Sequence, residues 1–279
     1  MTGISYPVQP TRATSGFAYY LRVLRVVGAI EFKAKYEGAV LGYIWSLVKP
    51  LAYFGVLWLV FAHLLRTANQ TDDFALFLLI GIFFFTFFSD TVGVMLPSIV
   101  LGGSILRRLA FPPILVPLSV SVGILITFLV NLGAIALVIG LQRVSPRLEW
   151  LAVVPLLVEL YALCLGVGLL AAALYVRFRD VSQIWELAVQ LLFFASAIFY
   201  PIGILPNWAQ KIAFLNPFVQ VMQDVRHAVL GSSGPNDLTA ATVYAGYGGR
   251  VIPIAIAAAL FLGGLVFFRR EGRYFAQRV

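Results

Sequence analysis

The sequence predicts an all-α, polytopic membrane protein, and three observations carry that prediction. The 279 residues are 61% hydrophobic and 11% charged, with a mean hydropathy of +0.94, far more apolar than a soluble domain of average composition. A spanning helix needs ~20 mainly apolar residues to cross ~30 Å of hydrocarbon, and six runs qualify: 43–65, 74–97, 113–141, 150–176, 184–205 and 251–268. Most charged residues fall between those runs, and unevenly. With the N-terminus inside, 14 of the 20 Lys and Arg lie on the cytosolic side and 6 on the other. The positive-inside bias therefore predicts that both termini are cytosolic.

Residues 1–16 carry Pro7, Pro10, Thr11 and Arg12 without an apolar core and cleavage-type site, so they read as a short disordered cytosolic tail rather than a signal peptide. In 17–42, Phe17, Tyr20, Leu21, Leu24 and Val27 recur at helical spacing while Arg22 and Arg25 take another face. That pattern predicts an amphipathic interface helix, with its lead-in, in the cytosolic headgroup layer. Residues 43–279 read as a single transmembrane domain. The connections 66–73 and 142–149 are brief external turns. Between spans two and three, Gly102-Gly103 and Pro112-Pro113 bracket residues 104–111. A short stiff helix between two breaks is suited to docking.

Span five leads into a break. Its apolar run meets Pro201, Gly203, Pro206 and Asn207, and a second apolar piece from Ile212 is interrupted by Asn216-Pro217. Proline lacks the donor a helix needs and disfavours helix in the residue before it. Re-entrant half-helices are therefore expected on the outer side between spans five and six. In lipid, broken backbone is tolerated only where it is buried in protein or lines a water-filled cavity. The reading is a pathway through the membrane with this segment near one mouth.

Composition also excludes chemistry. The one cysteine, Cys164, permits no intrachain disulfide, and no metal or redox motif is present. The net charge of +8 follows the topology rather than a nucleic-acid face. No Gly-Lys pair occurs, so a phosphate-binding loop cannot be built. If ATP powers this chain, a partner hydrolyses it. His63, Asp90, Glu159 and Glu186 are the candidate coupling residues within the runs, Lys49 lying near enough to the end of the first to snorkel back to the headgroups. They are few for the proton relay of an ion-coupled transporter and too scattered for a membrane enzyme acting on a lipid-linked glycan. Those two classes stand as the alternatives.

Four passages, read in order, carry a family resemblance. The stretch from Lys33 to Pro50, with Leu41-Gly42, Trp45 and Pro50 leading into the first span, resembles the start of ABC type-2 polysaccharide exporter permeases. Leu106-Arg107-Arg108-Leu109-Ala110-Phe111-Pro112 resembles their cytosolic segment before span three. Arg177-Phe178-Arg179-Asp180 followed by Ile198-Phe199-Tyr200-Pro201 looks like their span-five neighbourhood. Leu215-Asn216-Pro217 with Arg226 and Gly231 is similar to their outer re-entrant region.

The resemblance implies a non-catalytic permease subunit of the bacterial plasma (inner) membrane. It implies pairing with an ATP-binding-cassette ATPase that carries ATP and magnesium, and export of a lipid-linked polysaccharide such as O-antigen, teichoic acid or a cell-wall galactan precursor. A homodimer over two ATPase copies is expected, because one bundle is small for a polymer channel. With the resemblance, ATPase coupling falls to Ser104, Ile105, Leu106, Arg107, Arg108 and Leu109, together with Arg177, Arg179 and Asp180. Sugar rings have apolar faces that slide along aromatic walls, which makes Phe84, Phe88, Tyr161, Phe194, Phe199 and Tyr200 candidates to line the channel, with Glu159 as a wet wall residue. Pro201, Pro206, Asn216 and Pro217 are the candidate outer gate. Arg22, Arg25, Lys33 and Lys35 are placed to hold lipid headgroups.

Overall fold

The computed structural model describes residues 44–64, 73–102, 112–142, 144–231, 238–244 and 246–278, with Leu24 and Gly28 before them. The expected tail over 1–16, most of the interface helix with Arg22, Arg25, Lys33 and Lys35, and the docking segment 104–111 lie outside the described residues. Leu24 and Gly28 are helical, and Gly28 lies against Val122.

Among the described residues every regular element is a helix. Helix α1 (Ile44–Trp58) runs on into a π-helical turn, Leu59–Leu64. Helices α2 (Phe74–Leu101) and α3 (Leu115–Leu141) follow. A 3-10 turn, Leu148–Ala152, leads into α4 (Val153–Arg177), and α5 is Val181–Ala195. After a 3-10 turn at Ile202–Ile204 come α6 (Asn207–Phe214) and α7 (Pro217–Leu230), then the single turn α8 (Ala240–Val243). The 3-10 turn Tyr247–Arg250 opens into α9 (Val251–Arg278).

Five of these helices are long and apolar enough to cross a membrane. The stretch 184–205, expected as a sixth span, is organised differently. Its helix is the 15-residue α5, which at 1.5 Å per residue reaches about 22 Å, short of ~30 Å of hydrocarbon. The break comes at Ser196, before the first proline. Ala197 takes φ 52, in the left-handed region that ends a helix.

The core is built around α2. Its sequence is apolar on every side, and a helix of that kind belongs inside a bundle rather than at its surface. Phe83, Phe84, Phe85, Phe87 and Phe88 are all buried. Helices α3 and α4 pack against α2, and α7 closes the same core cluster with Phe218, Val221, Met222 and Val225. Helices α4 and α9 meet backbone to backbone: a Cβ on Gly264 would strike the Gly166 carbonyl, and one on Gly166 would lie 2.6 Å from the Phe261 nitrogen. By contrast α1 buries only Pro50, and α5 buries nothing.

Candidate functional site

Between α1, α2, α3 and α5 lies a cavity of about 560 Å³, within the usual size range of small-ligand sites. Helix α1 brings Trp45, Lys49 and Tyr53 to it, and α2 brings Phe85, Ser89 and Asp90. Asn131 comes from α3, while α5 contributes Gln190, Phe193 and Phe194. Asn131 donates through Nδ2 to the Ser46 carbonyl at 3.4 Å, and its buried Oδ1 has no hydrogen-bond partner among the described residues. The cavity thus combines aromatic faces with hydroxyl, amide and charged groups.

The aromatic wall continues beyond the cavity. Phe85 meets Phe193 at 5.3 Å and Phe218 at 5.6 Å between ring centres, both edge-on. Phe218 meets Phe88 at 5.4 Å, and Phe88 meets Trp185 at 5.8 Å. In the other direction Phe193 and Phe194 both contact Phe199, which lies 5.2 Å from Tyr200 and 5.2 Å from Phe61. Spacings and tilts of this kind are those aromatic pairs prefer.

At the end of α5 the chain turns through an elbow held from beneath by α7. Asn216 caps α7 by accepting from the Phe218 amide at 3.0 Å, and Pro217 occupies the first turn, where its missing donor costs nothing. Helix α7 then buries Arg226. Its guanidinium donates from Nε and Nη2 to the Phe77 carbonyl, at 3.1 and 2.8 Å. Nη1 reaches the Ala197 carbonyl at 2.9 Å, and Nη2 the Ile198 carbonyl at 2.7 Å.

The sequence from residue 22 to residue 230, which runs through α7, matches the ABC-2 type transporter family. The chain belongs to that family. Among curated proteins this ABC-2 chain is similar to the O-antigen export system permease protein RfbA of Klebsiella pneumoniae, at 25% identity over 205 residues, 73% of this chain and 78% of that protein. It is 28% identical over 195 residues to the RfbA permease of Myxococcus xanthus, covering 69% of this chain and 74% of that one. The polysialic acid transport protein KpsM of Escherichia coli is 22% identical over 221 residues, covering 78% and 85%.

The candidate residues of the ABC-2 chain fall into separate places. Phe194 lies on the cavity and is 64% exposed, and Phe199 and Tyr200 continue its wall. Phe84 is packed edge-on against Phe128 inside the bundle, and Phe88 joins the wall from the buried side. The Tyr161 hydroxyl is 2.9 Å from the Ser121 hydroxyl, in the α3–α4 contact. Among the gate candidates Pro201 and Pro217 are buried, Asn216 is half-buried and Pro206 is exposed. Arg177, Arg179 and Asp180 form an exposed turn between α4 and α5, with the Arg179 guanidinium 4.9 Å above the Tyr175 ring.

Glu159 belongs to a second polar group. On α7, Gln220 donates through Nε2 to the buried Asp224 at 2.8 Å, and Arg250 pairs with Asp224 at 3.3 Å. Burial pushes the Asp224 carboxyl above its ordinary range, while Gln220 and Arg250 pull it back. Glu159 faces this group from α4, and its buried Oε1 has no hydrogen-bond partner among the described residues. Sequence reasoning did not single out Phe85, Phe218, Asn131 or Gln190. Nothing in local spacing separates the five α2 phenylalanines, because it is the neighbouring helices that decide which of them border the cavity.

Proposed function

We propose that this ABC-2 chain is the membrane-spanning subunit of an ATP-driven exporter of lipid-linked polysaccharide, of the O-antigen, teichoic acid or cell-wall galactan class. It works in the bacterial inner membrane with both termini cytosolic, as a homodimer over two copies of an ATP-binding-cassette ATPase that carries the ATP and magnesium. The observation that carries this reading is the cavity, whose walls suit a sugar. The C–H faces of a pyranose stack on Trp45, Tyr53, Phe193 and Phe194, while Ser89, Asn131 and Gln190 meet its hydroxyls. The two helices that flank the cavity, α1 and α5, bury almost nothing of themselves. That leaves a face for a second copy to complete the passage.

The companion ATPase docks on 104–109 and on the turn at Arg177, Arg179 and Asp180. Closure of the ATPase pair parts the two permease halves, and the glycan leaves past the elbow and the gate at Pro201, Pro206, Asn216 and Pro217. Arg22, Arg25, Lys33 and Lys35 hold the lipid headgroup at the inner leaflet. The reading also draws on the relatives, whose names are those of O-antigen and polysialic acid exporters.

A thiol at the cavity tests it. In a Cys164→Ala background, Gln190→Cys is exposed to a bulky water-soluble maleimide and glycan export is followed in cells. The expected result is full export before labelling and loss after it. Complete labelling with export unchanged would count against the cavity as the path.

A further inference from the structure

We propose that Arg226 is a positioning residue that locks the elbow after α5 to the first turns of α2, so that α2, the elbow and α7 move as one body when the outer mouth opens. The proposal rests on the exporter reading for what moves, but the lock itself is drawn from geometry.

Three independent features converge on the guanidinium. The first is its hydrogen bonding: among the described residues all four bonds run to main-chain carbonyls, of Phe77 on α2 and of Ala197 and Ile198 in the elbow. The Phe77 ring also lies 3.5 Å from the guanidinium carbon, close enough for a cation–π contact. Arginine is the only side chain with five donors in a rigid fork, and a lysine ammonium cannot serve the same spread of acceptors.

The second feature is strain. Ala197 holds φ 52, a conformation that non-glycine residues seldom keep unless the surroundings over-determine it. The carbonyls that receive Nη1 and Nη2 belong to this residue and the next. The third feature is a missing side chain. At Gly81, one turn along α2 from Phe77, a Cβ would land on Nη2 and lie 3.0 Å from the Ile198 carbonyl oxygen. Only glycine leaves room for the fork.

The lock matters because α5 buries no side chain of its own. Its elbow end is therefore held by Ser196, Ala197 and Ile198, which are fully buried. Helix α2 is unbroken over its 28 residues, and all but its first turn extends beyond this point. A displacement of α2 along its length thus reaches the elbow directly through Arg226, beside the ring contacts Phe85–Phe193 and Phe88–Trp185 that α2 makes with α5.

A covalent substitute for the guanidinium separates such a transmitting role from a merely structural one. A Cβ at position 81 lies 3.1 Å from Ile198 Cγ2, a place the sulfur of Ile198→Cys can take, and in a disulfide with its S–S bond of about 2.05 Å each Cβ lies about 3 Å from the far sulfur. The triple variant Arg226→Ala, Gly81→Cys, Ile198→Cys is made in the Cys164→Ala background and studied with its ATPase. Reduced, it should export about tenfold less than the parent, because charge-assisted bonds to three carbonyls are gone. Oxidised, it should regain the parent's rate. Cross-linking yield should be the same in nucleotide-free and vanadate-trapped complexes.

Export by the reduced form at the parent's rate, a block in the oxidised form, or a fall in yield on trapping would each overturn the proposal. The yield needs no glycan, so it tests the lock even if the parent exports none, a result that would instead remove the exporter reading. If the triple variant does not accumulate, Gly81→Ala is measured alone. Normal abundance with export several-fold lower supports the lock, and normal export overturns it.

Discussion

The close approach of α4 and α9 gives a prediction whose size follows from the geometry. A Cβ on Gly166 would lie 2.6 Å from the Phe261 nitrogen and 2.7 Å from the carbonyl carbon and oxygen of Leu260. Non-bonded heavy atoms prefer about 3.5–4.0 Å, so Gly166→Ala must drive α4 and α9 apart by about 1 Å, a gap that forfeits a quarter to a half of each dispersion contact along the seam. Overpacking of this kind costs about 1–3 kcal/mol, which for a chain of this size is about 2–4 °C of unfolding midpoint per kcal/mol. Gly264→Ala strikes the same place from the other side and should cost a similar amount. The double variant should cost less than the sum, since one separation accommodates both methyl groups. The assay is thermal unfolding of the purified protein in detergent. Gly133→Ala is the control, because nothing lies within 4 Å of its added carbon, and it should be neutral or slightly stabilising. A midpoint for Gly166→Ala equal to that of Gly133→Ala would refute the seam as described.

Other expectations can be checked alongside. Phe87 is buried and stacked 4.2 Å from Phe128, so Phe87→Ala should destabilise by about 3–5 kcal/mol in the same assay. Phe194→Ala, at an exposed position on the cavity, should leave the midpoint within about 0.5 kcal/mol while slowing export in cells. Asn216→Ala removes the cap on α7 and should cost about 1 kcal/mol, with proteolysis near the elbow as a second readout.

The fold was legible where the physics is one-dimensional. Uninterrupted apolar runs of sufficient length have few alternatives to helix in a membrane, and five of the observed helices lie on such runs. Asn216-Pro217 starts α7 as proline and asparagine chemistry requires, and α6 begins directly after Pro206. The point where the helix of the fifth run ends was not legible, because its stop is not a proline. Ala197 is an ordinary residue held in the left-handed region, and the group facing its carbonyl, Arg226, is 29 positions away in sequence. The site was less legible for a related reason. Arg226 counts in the sequence as one outer basic residue among six, and Phe85 looks the same as Phe84. Only the neighbouring helices distinguish a carbonyl clamp from a surface charge, or a cavity wall from a packed ring.

The central claim is that this permease does no work of its own. The direct measurement is delivery of a lipid-linked glycan into the lumen of sealed inside-out vesicles containing the chain, with and without its companion ATPase and ATP. Delivery should appear only when the ATPase, ATP and magnesium are all present, and should persist after a protonophore collapses the proton gradient. Delivery by the chain alone, or delivery that ends with the gradient while ATP remains, would contradict the account.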